Sequence, residues 1–432
     1  MSKNEIVVKS GPLKGEIHIP GDKSISHRAL LLSALADGPV EINGFLKGAD
    51  PLETMACLRA LGVKIDALSG DKLIVHGISG KFTKPKKPLY VGNSGTTIRI
   101  LSGILAAQDF ECEIAGDASI NQRPMKRIVE PLSQMGAQLS GKVEKGQVFP
   151  PLKIKGAKLK GIKYKLPIAS AQVKSSILLA GLFANGVTEV VEPDQSRDHT
   201  ERMLKHFGVK IEQTERQIKL AGGQKLKGKT DILVPGDISS AAYLIAAAIL
   251  VPGSALILRN VGLNPTRIGI LEVLRRMGGG VEVLDEELLS EEPRGTLKVT
   301  NRKLKGIEIQ GSLIPRLIDE IPVIAVLATQ AQGDTVIKDA RELRVKESDR
   351  IATVSGELKK MGVNITPTED GMIITGGTKL KGTKVKSHGD HRLAMSLSIA
   401  GLIAEGKTEI EDTACVETSF PGFFKVLNSV KS

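Results

Sequence analysis

Four stretches of this chain are apolar on nearly every side at helical spacing. They are GDKSISHRALLLSALA from Gly21, GNSGTTIRILSGILAA from Gly92, SAQVKSSILLAGLFA from Ser170 and GDHRLAMSLSIAGLIA from Gly389. A surface helix keeps one polar face, so helices without one are expected to be enclosed on all flanks. Each run leads through a turn signal into a β-rich segment, as in ALADGPVEI, AAQDFECEI, FANGVTEV and IAEGKTEI, and ILVPGSALIL and TQAQGDTVI repeat that step. Amphipathic helices follow and close on LRALGVKID, LSQMGAQLS, LKHFGVKIE, LRRMGGGVEV and LKKMGVNIT. The pattern predicts six copies of one unit: buried helix, turn, strand, amphipathic helix, strand. The openings near Gly21, Gly92, Ala169, Gly236, Ile318 and Gly389 are roughly 70–80 residues apart, enough for several elements per copy. The sixth copy ends on a C-terminal helix, FFKVLNSVKS.

Three such units can close around a bundle of buried helices, and two such groups use up the chain. The tripeptide PGD opens copies one and four, at Pro20 and Pro235. It predicts crossings between halves, with an N-terminal lobe of residues 21–235 and a C-terminal lobe of residues 1–20 plus 236–432.

Charge placement changes the picture. Lys23, Arg28, Arg99, Lys174 and Arg392 fall within about two turns of buried-helix starts. A helix N-terminus already presents free N–H groups and the positive end of its dipole. Cations added there destabilise the helix unless an anion is close. The repetition predicts a site for a ligand with several negative charges.

Composition narrows the alternatives. Apolar content of 41% and charged content of 25% fit a globular protein with a sizeable core. No apolar run approaches the length of a membrane span, and the start MSKNEIVVKSGPLKG is too polar for a secretory signal, so a cytoplasmic protein is expected. Net charge is +12, but aromatics are 3% with no Trp, which disfavours base-stacking nucleic-acid platforms. Runs such as KFTKPKKP read as solvated faces. Cys57, Cys112 and Cys415 are scattered without metal-ligand spacing, so idle thiols and no metal are expected.

Four segments carry candidate chemistry. In RVKESDR, Arg344 to Arg350, a helical reading puts Lys346 and Arg350 on one face with Glu347 beside Arg350. A carboxylate between fixed cations suits proton transfer near an anionic substrate, and a solvated ion-pair helix would read the same way. PRLIDEIPVIAVLA places Asp319 and Glu320 at the start of an apolar helix, either as an N-cap or as a base for a substrate hydroxyl. GNSGTTIR packs small residues before a helix, where backbone N–H groups can approach an anion, without nucleotide P-loop spacing. INQRPMKRI sets Arg123 just before a Pro expected in the first helical turn. In DHR, Asp390 is the expected N-cap, with His391 and Arg392 in the first turn.

In family order the chain also contains PGDKSISHR, GNSGTTIR, RPM, SAQVKSS, SRDHTERM, PGDISSAA, LIDEIP, LRVKESDR, GDHRLAMS and SFPGFF. Over essentially its whole length it resembles the 5-enolpyruvylshikimate-3-phosphate synthases, the enolpyruvyl transferases of the shikimate pathway. The resemblance implies a two-domain inside-out α/β barrel, each domain three βαβαββ repeats. It implies transfer of a carboxyvinyl group from phosphoenolpyruvate to the 5-hydroxyl of shikimate 3-phosphate through a tetrahedral intermediate. By that resemblance Lys23, Ser24, Arg28, Ser170, Gln172, Arg197, Asp319 and Lys346 hold shikimate 3-phosphate. Lys23, Gly95, Arg123, Gln172, Arg350 and Arg392 surround phosphoenolpyruvate. Asp319, Glu347 and Lys23 share the proton transfers. No cofactor, metal, nucleic acid or membrane partner is implied, and a monomer is expected.

Two departures stand out. Thr418 stands where many members carry Lys, and Ala171 where many carry a second Ser, as in one bacterial subgroup. A related enolpyruvyl transferase acting on UDP-N-acetylglucosamine carries a loop Cys five residues before an Arg-Pro pair. Here that position is Ala118, which disfavours that reading. A nucleic-acid-binding repeat protein would instead spread its cations along one outer face.

Overall fold

The computed structural model describes residues 3–431. The chain forms two compact units. One takes the chain up to Pro20, Pro235–Leu288 and the chain from Pro293, and the other takes Gly21–Val234 with Leu289–Glu292. Each unit has its own apolar core.

The described residues form five four-stranded sheets and one three-stranded sheet, packed on central helices. The central helices of the Gly21–Val234 unit are Lys23–Leu35, Gly95–Leu105 and Ala171–Gly181. Those of the other unit are Ile238–Leu250, Ile321–Ala328 and His391–Gly401. Gly95–Leu105, Ile321–Ala328 and His391–Gly401 are buried along their whole length, as their lack of a polar face predicts. The amphipathic helices Ala49–Ala60, Lys126–Gln134, His199–His206, Gly269–Met277 and Arg350–Lys360 occupy the second helical position of their copies.

Each copy holds more strands than the hydrophobic pattern shows. In copy two, Leu89–Tyr90 runs parallel to Glu111–Ala115, which pairs antiparallel with Gln147–Lys155, itself antiparallel to Gln138–Glu144. The strand ahead of the central helix is too short to show alternation, being two residues at Leu89–Tyr90 and at Glu308–Ile309. In copies one and four the flanking strands are exchanged. Lys14–His18 precedes the first central helix but pairs in parallel with Ala255–Gly262 of copy four. Thr230–Leu233 precedes the fourth central helix but pairs in parallel with Pro39–Asn43 of copy one. The strand ahead of each PGD therefore stays in the unit the chain is leaving.

Copy six departs from the others. Its sheet is Lys384–Lys386, Lys407–Glu411 and the N-terminal strand Glu5–Val8, which pairs antiparallel with Lys407–Glu411. The chain then ends on the short helix Phe423–Ser429. The run KFTKPKKP lies on the surface, with Lys81, Lys84, Lys86 and Lys87 exposed.

Glycine lets the central helices Gly95–Leu105 and Ala171–Gly181 approach closely. A Cβ built at Gly103 would lie 2.1 Å from the Ser176 carbonyl oxygen. Backbone cannot retreat as a flexible side chain can. Gly103→Ala gains about 1 kcal/mol of helix propensity. It is nevertheless expected to lose about 1–3 kcal/mol net through overpacking, read as a lower midpoint in chemical denaturation. A more stable variant would show that the two helices separate freely.

Candidate active site

Polar groups gather at the starts of the central helices because the flanks are enclosed. Five of the six described central helices begin with a side-chain cap. Asp22 accepts from the Ile25 N–H at 2.9 Å, Ser94 from Thr97 at 3.1 Å and Ser170 from Val173 at 3.5 Å. Asp237 accepts from Ser239 and Asp390 from Arg392, both at 2.9 Å. Such caps satisfy N–H groups that the helix leaves unbonded. Ile321–Ala328 is the exception. Glu320 occupies its cap position without capping it, and its carboxylate accepts instead from the Ser239 hydroxyl.

In the Gly21–Val234 unit, Lys23 lies 3.1 Å from Asp50. One turn on, buried Arg28 donates to Thr200 at 2.7 Å, to the Ser24 carbonyl at 2.9 Å and to Ser175 at 2.9 Å. Burial pulls Arg28 down to about 10; Glu201 opposes the fall and Arg197 adds to it. The half-buried Arg197 therefore acts on Arg28 directly through its charge. His27 is hydrogen-bonded to Thr54 at 2.7 Å, and Thr54 to Thr97 at 2.7 Å. Thr97 in turn donates to Ser94 at 2.7 Å. Burial, then the charges of Lys23 and Arg28, hold His27 well below its usual value, so it is neutral.

Gly95 sits where two guanidiniums meet a helix start. A Cβ there would come 2.9 Å from Arg99 Nη1 and 3.1 Å from Arg123 Nη1. Arg123 donates to Asn93 at 2.6 Å. Arg99 donates to Gln172 Oε1 at 2.7 Å, and Gln172 Nε2 donates to Thr96 at 3.0 Å. Gln172, next to the Ser170 cap, is thereby oriented by the start of the neighbouring central helix. Pro124 does not lie in a helical turn: the helix begins at Lys126 with Met125 as its cap residue. Arg123 still projects from the loop ahead of it.

Lys174 corrects one expectation. It is 1% exposed, 2.7 Å from both Glu192 Oε2 and Glu201 Oε1, so its counter-ions belong to the protein. A cation near a buried-helix start does not by itself mark a place for an external anion.

The second cluster lies in the unit that holds residues 235–288 and 293 onward. The RVKESDR segment is not one helix. A 3-10 turn ends at Val345, Lys346 is extended, and the helix starts at Arg350 with Asp349 as its cap. Asp349 accepts from the Ala352 N–H at 3.1 Å, and that cap competes with helical continuation through Ser348. Glu347 still reaches Arg350, at 2.6 Å, from a loop rather than from a helical face. Arg350 is 1% exposed and acts as the hub. It meets Asp390 at 2.8 Å, Asp319 at 3.1 Å and Glu347 at 2.6 Å. Burial opposes its charge, but Asp390, Glu347 and Asp319 outweigh burial and hold it protonated more firmly than an ordinary Arg. Asp319 also lies 3.9 Å from Lys346 and 3.9 Å from Arg392. Buried Arg392 is held charged against burial by Asp319, Tyr243 and Glu320.

This second cluster takes in the expected cap Asp390 and, beyond the motifs, Arg267 and Tyr243. Asp390 caps its helix with one oxygen and takes the Arg350 Nε with the other. Arg267 donates to Ser239 at 2.6 Å and to Asp237 at 3.1 Å, extending the charged network through Glu320 toward Arg392. The signal for Asp237 was its place in the second PGD; Arg267 and Tyr243 carried none. The three cysteines are free thiols. Burial pushes Cys57 up to about 12 and Cys112 and Cys415 up to about 11. No group of three or more metal-binding side chains occurs among the described residues.

Comparison with known proteins gives concordant results. The family model for EPSP synthase (3-phosphoshikimate 1-carboxyvinyltransferase) matches residues 7–427. A 3-phosphoshikimate 1-carboxyvinyltransferase of Brevibacillus brevis is 55% identical over 423 residues, 98% of each chain. That of Bacillus thuringiensis is 56% identical over 425 residues, again 98% of each chain. Among solved structures, an EPSP synthase from Acinetobacter baumannii matches with a TM-score of 0.88 and 45% identity. That match covers 100% of this chain and 98% of the other.

Removing one partner from a buried ion pair strands the other. Asp390→Ala takes away both a cap and a counter-ion of Arg350, and is expected to cost about 3–5 kcal/mol in denaturant unfolding. Asp390→Asn keeps the capping oxygen and is expected to cost less. Equal losses in the two variants would show that the capping oxygen of Asp390 contributes nothing beyond its charge.

Proposed function

The chain belongs to the EPSP synthase family, and from its reaction, carboxyvinyl transfer from phosphoenolpyruvate to the 5-hydroxyl of shikimate 3-phosphate with release of phosphate, we propose how its residues divide the work. The UDP-N-acetylglucosamine alternative is not favoured, since the curated relatives bear the shikimate activity over nearly their full length.

In the Gly21–Val234 unit, Lys23, Ser24, Arg28, Ser170, Gln172 and Arg197 bind shikimate 3-phosphate. Lys23, Gly95, Arg123 and Gln172 also meet phosphoenolpyruvate. Guanidinium forks and helix-start N–H groups match phosphate and carboxylate oxygens in geometry as well as charge. Gly95 suits this task because the missing side chain leaves the backbone and two guanidiniums accessible to one anion. In the other unit, Asp319 and Lys346 orient shikimate 3-phosphate, and Arg350 and Arg392 face phosphoenolpyruvate.

Asp319 accepts the proton of the 5-hydroxyl as that oxygen bonds to C2 of phosphoenolpyruvate. Glu347 delivers a proton to the C3 methylene, giving a tetrahedral intermediate. Elimination reverses the protonation: C3 returns its proton to Glu347, the C2–O bond to phosphate breaks with the departing phosphate taking up the proton that Asp319 received, and the double bond re-forms. Lys23 supports the charge on the departing phosphate. The observation that carries this assignment is the position of Asp319 and Glu347, both within hydrogen-bonding distance of the Arg350 guanidinium. A fixed guanidinium between two carboxylates holds both in place while protons move. Thr418, in the 3-10 turn Thr413–Thr418, supplies no cation, so the arginines and Lys23 carry the phosphoenolpyruvate charge.

We also assign the work to a cytoplasmic monomer without nucleic-acid or membrane partners. No helix among the described residues is long and apolar enough to cross a membrane.

The purified protein is expected to release phosphate from phosphoenolpyruvate only when shikimate 3-phosphate is present, and to keep full activity in chelator. No release at millimolar concentrations of both substrates would refute the reading. Asp319→Ala is expected to lower kcat by about 10²–10⁴-fold, the usual worth of general acid–base help. Near-normal turnover in that variant would remove Asp319 from the proton-transfer scheme.

A further inference from the structure

The most deeply buried charges of the Gly21–Val234 unit belong to none of the groups assigned to substrate. Lys174, Glu192 and Glu201 have side chains 1%, 0% and 0% exposed. The Lys174 ammonium bridges the two carboxylates at 2.7 Å each and reaches the Ser196 carbonyl at 3.4 Å. The Ser196 hydroxyl donates to Glu192. Three charges withdrawn from water are a poor source of stability, since apolar replacements of similar volume are often as stable or more so. What such a cluster supplies is fixed geometry.

Its position in the chain shows what is fixed. Lys174 lies one turn into the helix that Ser170 caps, two residues beyond Gln172. Glu192 and Glu201 bracket the segment that holds Arg197 and Thr200. Arg28 then donates to Ser175 and Thr200, the neighbours of Lys174 and Glu201 in sequence. The ion cluster and the Arg28 hydrogen bonds thus tie the same two pieces of chain side by side.

We propose that Lys174 is a positioning residue: paired with Glu192 and Glu201, it locks the Arg197 segment onto the Ser170 helix and so sets the spacing of the shikimate 3-phosphate cradle. The inference rests on the assignment of Ser170, Gln172, Arg28 and Arg197 to that substrate. Lys174 touches no substrate itself. Its contribution is the distance between groups that do, and small misplacements of binding groups are costly.

The test compares the full-length protein with Lys174→Met and with a triple variant, Lys174→Met with Glu192→Gln and Glu201→Gln. The triple variant neutralises the cluster at similar volume and leaves no stranded charge, so it folds even where the single variant does not. Shikimate 3-phosphate affinity is measured by calorimetry, KM and kcat by phosphate release, and thermal midpoints alongside. Both variants are expected to bind shikimate 3-phosphate about ten- to a hundredfold more weakly, with KM for that substrate rising more than kcat falls. A merely structural role would lower the active fraction, and so the apparent kcat, at unchanged KM. Affinity and KM within about twofold of the unmodified protein in either folded variant would overturn the proposal, whatever the midpoint does. Failure of the unmodified protein to bind shikimate 3-phosphate would instead overturn the substrate assignment.

Discussion

A helix enclosed on every flank can present chemistry only at its ends. That constraint organises this protein. Six repeats bury their central helices, and the free N–H groups, caps and cations all collect at the N-terminal turns. The caps are Ser and Asp rather than larger residues because a short side chain can fold back to its own helix start. Asp caps carry a charge that suits the helix dipole and, at Asp390, one that also neutralises a buried guanidinium.

Buried cations need partners, and this chain meets that need in two ways. Lys174 is closed off by two internal carboxylates and is a structural ion. Arg28 instead takes hydroxyl and carbonyl partners, and Arg123 an amide oxygen, which orient the two guanidiniums. Arg350 stands between these cases. Its carboxylate partners include Asp319 and Glu347, the two groups proposed for proton transfer.

Much of this was legible in the sequence, for local reasons. Absence of a polar face marked the buried helices, and Asp390 was readable as a helix start because capping involves residues only two or three positions apart. The readings that failed involved competition between local rules. RVKESDR has helical i,i+4 charge spacing, but Asp349 caps the helix that begins at Arg350 and leaves Lys346 and Glu347 in a loop. Pro124 suits a first helical turn, yet the helix starts two residues later. The two-residue strands ahead of the central helices were too short for any alternation to register.

The sequence by itself determined the repeat, the enclosed helices, their capped starts and the cations placed there, because periodicity and capping act over a few residues. Only the tertiary structure decided which cation is neutralised by which anion. Lys174 finds Glu192 and Glu201, and Arg350 finds Asp319 and Asp390, across intervals of 18 to 40 residues. Coulombic attraction depends on separation in space, and no pattern along the chain encodes that separation until the repeats have packed.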